Sequence, residues 1–166
     1  NVSTELLGGS NGIGFHYDSR FKDNSGWGYG IGAGWGFSQT SDFFNNVDRY
    51  HNLSVIPRIN YLLGRKNRKL ELGFGVNLGY LFGKQEYDTY KLVSQDDGTY
   101  YFDFDKHVKK NRHQFTYFFF GNIGYRRQAN HGFVFRVGLA PIFGFGDSHT
   151  VDKFYLVPYL GFGKSF

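Results

Sequence analysis

Between Trp27 and Phe37 every second residue is glycine: Gly28, Gly30, Gly32, Gly34 and Gly36 alternate with Trp27, Tyr29, Ile31, Ala33, Trp35 and Phe37. Successive side chains of an extended chain point to opposite faces. The stretch therefore reads as a strand with one bulky apolar face and one nearly bare face.

The same pattern returns along the chain. Leu70, Leu72, Phe74, Val76, Leu78, Tyr80 and Phe82 share one face of 70–83, opposite Glu71, Gly73, Gly75, Asn77, Gly79, Leu81 and Gly83. In 132–146 a stripe from Phe133 to Phe145 opposes Val134, Arg136, Gly138, Ala140, Ile142, Gly144 and Gly146. Segments 52–63 and 114–126 keep an apolar stripe, although Ile56, Leu62, Phe118 and Phe120 interrupt their more polar faces. From Lys153 to the last residue, Phe154, Leu156, Pro158, Leu160, Phe162 and Phe166 alternate with Tyr155, Val157, Tyr159, Gly161, Gly163 and Ser165. Near the start, Ile13, Phe15 and Tyr17 alternate with His16, Asp18 and glycines, and Val2 to Gly9 is a weaker strand. Ser10-Asn11-Gly12 between them carries the Asn-Gly chemistry of a tight hairpin. Counting that hairpin gives eight strands, and reading 2–20 as one bent strand gives seven. An even number is expected for a closed antiparallel barrel with both termini on one side.

Connections alternate in length. Gly64 to Lys69 and Arg127 to His131 are short, 146–153 is intermediate, 39–51 is longer, and 84–113 reads as a long loop. Short turns at one end and longer loops at the other are the habit of outer-membrane barrels. The expected fold is all-β: a closed antiparallel up-and-down transmembrane β-barrel of about eight strands, filling residues 1–166 as one domain, with a long extracellular loop at about 84–113.

Side-chain size sets the orientation. An eight-stranded ring is just wide enough to be filled by side chains, and it has no room for aromatics and leucines from nearly every strand. The glycine-rich faces are therefore expected inside and the bulky faces outside, where lipid is the compatible solvent. Mean hydropathy is −0.44 and no apolar run approaches the roughly 20 residues of a spanning helix, so only strands could cross a bilayer. With no cysteine, disulfides and thiolate chemistry are excluded. A chain without methionine that opens Asn1-Val2-Ser3 is expected to have been processed, a removed secretory signal being one source.

The C-terminal Tyr159-Leu160-Gly161-Phe162-Gly163-Lys164-Ser165-Phe166 and the alternating strands before it resemble the small eight-stranded outer-membrane proteins of the OmpX and OmpA-barrel type. The opening Glu5-Leu6-Leu7-Gly8-Gly9, with Tyr17-Asp18-Ser19-Arg20-Phe21, is similar to small barrels common in Bacteroidota. The resemblance implies an integral protein of a Gram-negative outer membrane with periplasmic termini and extracellular long loops. It also implies that Tyr159, Phe162 and Phe166 form the terminal signal read by the barrel-insertion machinery. Fold and location follow from the likeness far more than activity does.

If the bare faces point inward, Glu5, His16, Asp18, Arg20, Arg58, Glu71, Arg126 and Arg136 meet in the lumen, with Asn52, Asn60, Asn77 and Asn122. Buried charges are costly unless paired, so bridged networks that close the interior are expected, and an ion path is the alternative. Six histidines, at 16, 51, 107, 113, 131 and 149, show no metal-binding spacing. His51 with Ser54, or His149 with Ser148 and Asp147, supply residue types used by lipid A-modifying enzymes but form no motif. Net charge is +5. Lys106, Lys109, Lys110 and Arg112, following Asp96, Asp97, Asp103 and Asp105, are candidates for contact with lipopolysaccharide phosphates. Tyr87, Tyr90, Tyr100, Tyr101, Phe102 and Phe104 offer an apolar surface beside them. Nucleic acid is not expected, because these cations do not form a stripe with stacking aromatics. No cofactor and no metal are expected. The partners expected are membrane lipid, lipopolysaccharide, the insertion machinery and other outer-membrane proteins. The first expectation of function is a non-enzymatic structural or accessory subunit of an outer-membrane assembly. A lipid A-modifying enzyme and a surface-binding barrel acting through the long loop are the alternatives.

Overall fold

Glycine alternation becomes strand pairing in which the inward polar side chains of β2 lie across glycines of the next strand. In the computed structural model, which describes residues 1–22, 25–41, 47–94, 100–129, 131–144 and 154–166, strand β2 (Ile13–Arg20) runs antiparallel to β3 (Trp27–Ser41). Their register sets His16 opposite Gly32, Asp18 opposite Gly30 and Arg20 opposite Gly28. A methyl group at those glycines would meet the His16 ring, the Asp18 carboxylate and the Arg20 guanidinium. The bare face of β3 is the space that the polar face of β2 fills.

Eight strands make one antiparallel up-and-down sheet that closes into a ring: β1 (Val2–Leu7), β2, β3, β4 (Val47–Leu63), β5 (Arg68–Ser94), β6 (Tyr100–Gln128), β7 (Phe133–Gly144) and β8 (Phe154–Lys164). Closure comes from β1, which pairs with β2 on one side and with β8 on the other, Val2 opposite Lys164 and Leu7 opposite Tyr159. A short turn at 64–67 joins β4 to β5, and only four residues separate β6 from β7; Gly64, Lys66 and His131 take positive φ.

The connection between β1 and β2 is not the tight Asn-Gly hairpin expected from Ser10-Asn11-Gly12. Leu7 and Gly8 take positive φ, Gly8–Ser10 form one buried 3-10 turn, and Asn11 is left-handed. The Leu7 amide donates to Gly12 O at 2.6 Å across the base of this turn. It folds inward because Gly8 and Gly9 bring no side chain: a methyl at Gly8 would meet Tyr159 and one at Gly9 the ring of Phe120.

The chain groups into two compact units. The first, residues 1–36, 52–80 and 115–166, holds β1, β2, β7, β8 and the adjoining parts of the other strands. Its inward face carries the buried residues, and its outward face carries exposed rings and aliphatics including Phe15, Ile31, Trp35, Leu53, Phe74, Ile123, Leu139 and Phe162. The second unit, residues 37–51 and 81–114, consists of the remaining parts of β3 to β6.

Much of the second unit was expected as loop, and the structure corrects this. Residues 84–94 continue β5, 100–113 continue β6, and 39–41 and 47–51 belong to β3 and β4. Aromatic and β-branched residues such as Tyr90, Val93, Tyr101, Phe102 and Val108 favour strand, and cross-strand pairs hold the arm: Glu86 with Lys109, Asp88 with His107, and Tyr90 edge-on to Phe104. The expected connection at 146–153, together with Phe145, Asp96 and Asp97, lies outside the described residues.

Candidate functional site

Three carboxylates and three guanidinium groups from six strands meet inside the first unit. Glu5 projects from β1, Asp18 from β2, Arg58 from β4, Glu71 from β5, Arg126 from β6 and Arg136 from β7, and all six are buried. Each arginine bridges two acids. Arg58 spans Glu5 (3.1 Å) and Asp18 (3.3 Å), Arg126 spans Asp18 (3.1 Å) and Glu71 (3.3 Å), and Arg136 spans Glu71 (2.7 Å) and Glu5 (2.9 Å). The contacts form a closed circuit of alternating sign, Glu5–Arg58–Asp18–Arg126–Glu71–Arg136 and back to Glu5. Burying any one of these charges alone would be strongly unfavourable, and pairing every one of them twice offsets that cost.

Neutral groups extend the circuit. Asn60 donates to Asp18 at 3.2 Å and accepts from Arg20, whose other amino group reaches Gly26 O at 3.0 Å. The Arg136 guanidinium also lies over the Tyr159 ring, 5.4 Å from its centroid. Tyr159 and Ser10 were not expected in this network. Ser10 donates to Glu5 Oε1 at 3.1 Å and lies 2.8 Å from His16 Nε2.

Serine, histidine and glutamate together invite a catalytic reading, which the geometry does not support. A relay needs the hydroxyl at one imidazole nitrogen and the acid at the other. Here Ser10 and Glu5 both lie at Nε2, the latter at 3.7 Å, and Nδ1 has no hydrogen-bond partner among the described residues. All three side chains are sealed from solvent. Ser54 is buried and accepts from Asn77 at 3.1 Å, while His51 stands between the rings of Phe37 and Phe82 in the second unit. The set His149, Ser148 and Asp147 lies outside the described residues. Among the described residues no group of three acidic or histidine side chains is placed to hold a metal ion.

Farther along the strands from the 64–67 turn and the β6–β7 connection, the interior changes character. Ile56, Phe120 and Ile142 form an enclosed apolar cluster with Phe118 and Val157 packed on it. Of the residues that interrupt the polar faces of β4 and β6, Ile56, Phe118 and Phe120 thus belong to an apolar tier above the charges, whereas Leu62 is buried near the 64–67 turn. The tucked turn lies against it, with Gly9 on the Phe120 ring and its carbonyl accepting from Asn77 at 2.9 Å.

The remaining candidates lie elsewhere. Lys106, Lys109, Lys110 and Arg112 lie on β6 in the second unit. Lys106, Lys109 and Lys110 are exposed, Lys109 lying 3.3 Å from Glu86, and Arg112 donates to Gln114 at 3.1 Å. Of the C-terminal three, Tyr159 is buried, Phe162 packs outward against Phe133 and Phe135, and Phe166 is exposed. Comparison with protein-family models, curated proteins and solved structures finds no match to the chain.

Proposed function

We propose that this chain is an integral outer-membrane β-barrel without enzymatic activity, serving as a structural or accessory subunit of a larger outer-membrane assembly. The observation that carries the reading is inverted burial. Fully buried positions include Glu5, Glu71, Arg126 and Arg136 on the inward face of the ring, while Phe15, Ile31, Trp35, Leu53, Phe74, Leu139 and Phe162 stand exposed on its outward face. In water such a surface would be far larger than the apolar patches that soluble proteins tolerate. In hydrocarbon it is favourable, and a closed ring leaves no lateral row of unpaired backbone groups where it closes. The charge circuit fills the interior and so supports a closed barrel rather than a conducting one.

Extraction tests the proposal. The protein expressed in a Gram-negative host is expected to fractionate with outer membranes, resist alkaline carbonate, and require detergent to remain monodisperse. A monomer stable in plain buffer would overturn it. Co-purification in mild detergent then separates an assembly subunit from a lone barrel.

A second reading, a surface-binding barrel that acts through the 81–114 arm, is favoured by the exposure of Tyr100 (67%), Phe102 (75%) and Phe104 (52%). Its test is cell or lipopolysaccharide binding by variants carrying alanine at those three positions.

A further inference from the structure

Where β4 turns into β5 and β6 nears its end, the exposed side chains of Arg65, Lys66, Arg68 and Arg127 gather. The Gln128 amide donates to Asn67 O at 2.9 Å, and farther along the same two strands a methyl at Gly73 would meet Asn122. That register sets Arg68 of β5 opposite Arg127 of β6. Both point outward, because the next residue on β5 but two, Glu71, and the neighbour on β6, Arg126, take the inward face. Like charges directly opposite one another on a sheet are destabilising. Among the described residues no carboxylate relieves the pair, since the acids of the first unit, Glu5, Asp18 and Glu71, are all committed to the buried circuit.

Next to the paired arginines the outward face is apolar. Leu70 follows Arg68 and Tyr125 precedes Arg127 on that face, with Leu72 and Ile123 beyond them, and all four are exposed. On β7, Val137 pairs with Tyr125 and Leu139 with Ile123, and both are exposed as well. The outward wall of β5, β6 and β7 thus runs from two guanidinium groups at the end of the strands, past one tyrosine, into an aliphatic strip. The turn beyond the arginines adds only further positive charge, from Arg65 and Lys66.

We propose that Arg68 and Arg127 form a head-group site for an anionic phospholipid, its phosphate bridging the two guanidinium groups and an acyl chain lying along Leu70, Tyr125 and Ile123. The inference rests on the outer-membrane reading and names a ligand for its short-turn end. A guanidinium is a planar fork that matches phosphate oxygens, and an anion between the two forks turns a repulsive pair into two charge-assisted contacts. Arg65 and Lys66 select a head group of net negative charge over a zwitterionic one, whose ammonium they repel. Free phosphate would meet only the charged half of this surface. A phospholipid meets both halves, in the order in which its head group and chain lie, with tyrosine at the boundary where amphipathic rings are favoured.

Native mass spectrometry of the detergent-folded protein tests the site. The protein is mixed with equal amounts of phosphatidylglycerol and phosphatidylcholine carrying the same acyl chains, and the lipid retained after the detergent is stripped away is identified by mass. Phosphatidylglycerol is expected to be retained severalfold over phosphatidylcholine. Arg68→Gln combined with Arg127→Gln is expected to remove most of that excess without lowering the urea midpoint, because a repulsive exposed pair is lost. Lys106→Gln combined with Lys110→Gln, exposed cations of the second unit, is expected to keep the excess. If the double glutamine variant does not fold, Arg127→Gln alone decides, with partial loss expected. Equal retention of the two lipids, or an excess that survives these arginine changes, overturns the site while leaving the membrane reading intact. Preference for lipid A over phosphatidylglycerol in the same mixture overturns the assignment to phospholipid. A chain that stays monodisperse without detergent overturns the membrane reading and the site together.

Discussion

Arg136 holds Glu71 by two parallel hydrogen bonds, Nε to Oε2 at 2.7 Å and Nη2 to Oε1 at 3.1 Å, and its remaining amino group reaches Glu5 at 2.9 Å. Paired donors facing paired acceptors fix both distance and orientation. This pair is therefore the best-defined join in the charge circuit, and it locks β7 to β5 and β1 across the interior.

Breaking that join from either side leaves an uncompensated buried charge. Arg136→Ala and Glu71→Ala are each expected to cost about 3–5 kcal/mol. The double variant Glu71→Leu with Arg136→Met is expected to lose less than the two single changes summed, because both charges leave together. Urea unfolding of detergent-folded protein, followed by tryptophan fluorescence, measures all three.

The inward turn makes a second prediction. A side chain on Gly9 must displace the Phe120 ring. Gly9→Val is expected to destabilise by about 1–3 kcal/mol through overpacking. Combining it with Phe120→Leu should recover part of the loss, which the same unfolding assay reads as non-additivity.

In the arm, the Lys109 side chain hydrogen-bonds the Glu86 carboxylate and lowers its pKa, with the charges of Lys109 and His107 adding to the effect. A carboxylate lowered by folding stabilises the arm fully above the ordinary glutamate value of about 4.3, and that contribution is lost as pH falls through the lower folded value. Lys109→Met is expected to return the Glu86 titration upward, toward the ordinary range, as followed by its carboxyl carbon shift in NMR.

Phe166 gives a test that separates assembly from stability. It is exposed, and the Lys164 ammonium lies 5.6 Å from its ring centroid. If Phe166 belongs to the signal read by the insertion machinery, removing it should sharply reduce the folded protein recovered from outer membranes. The midpoint of urea unfolding after refolding in detergent should hardly change.

Period-two patterning was the most legible part of the sequence, because a sheet with two unlike faces repeats the difference at every second residue. The inward placement of Glu5, Asp18, Arg58, Glu71, Arg126 and Arg136 follows from that parity alone. Their pairing does not, since Arg136 and Glu5 are 131 residues apart and meet only through the register of the closed ring. Ile56, Phe118 and Phe120 looked like defects in the pattern because local parity carries no information about height along the axis. The β1–β2 connection misled for a related reason. Asn-Gly signals a reversal of direction, but whether the reversal stays in the wall depends on Tyr159, Phe120 and Asn77 from distant strands. Charged residues on both faces of 84–113 hid a strand pattern that cross-strand partners sustain.

The six-membered circuit draws on β1, β2, β4, β5, β6 and β7, so a partly threaded chain cannot satisfy it. Until the first and seventh strands are both in position, at least one ion would lack one of its two counterparts. Incomplete intermediates are therefore self-rejecting: an inspection of its own completeness is wired into the centre of the molecule.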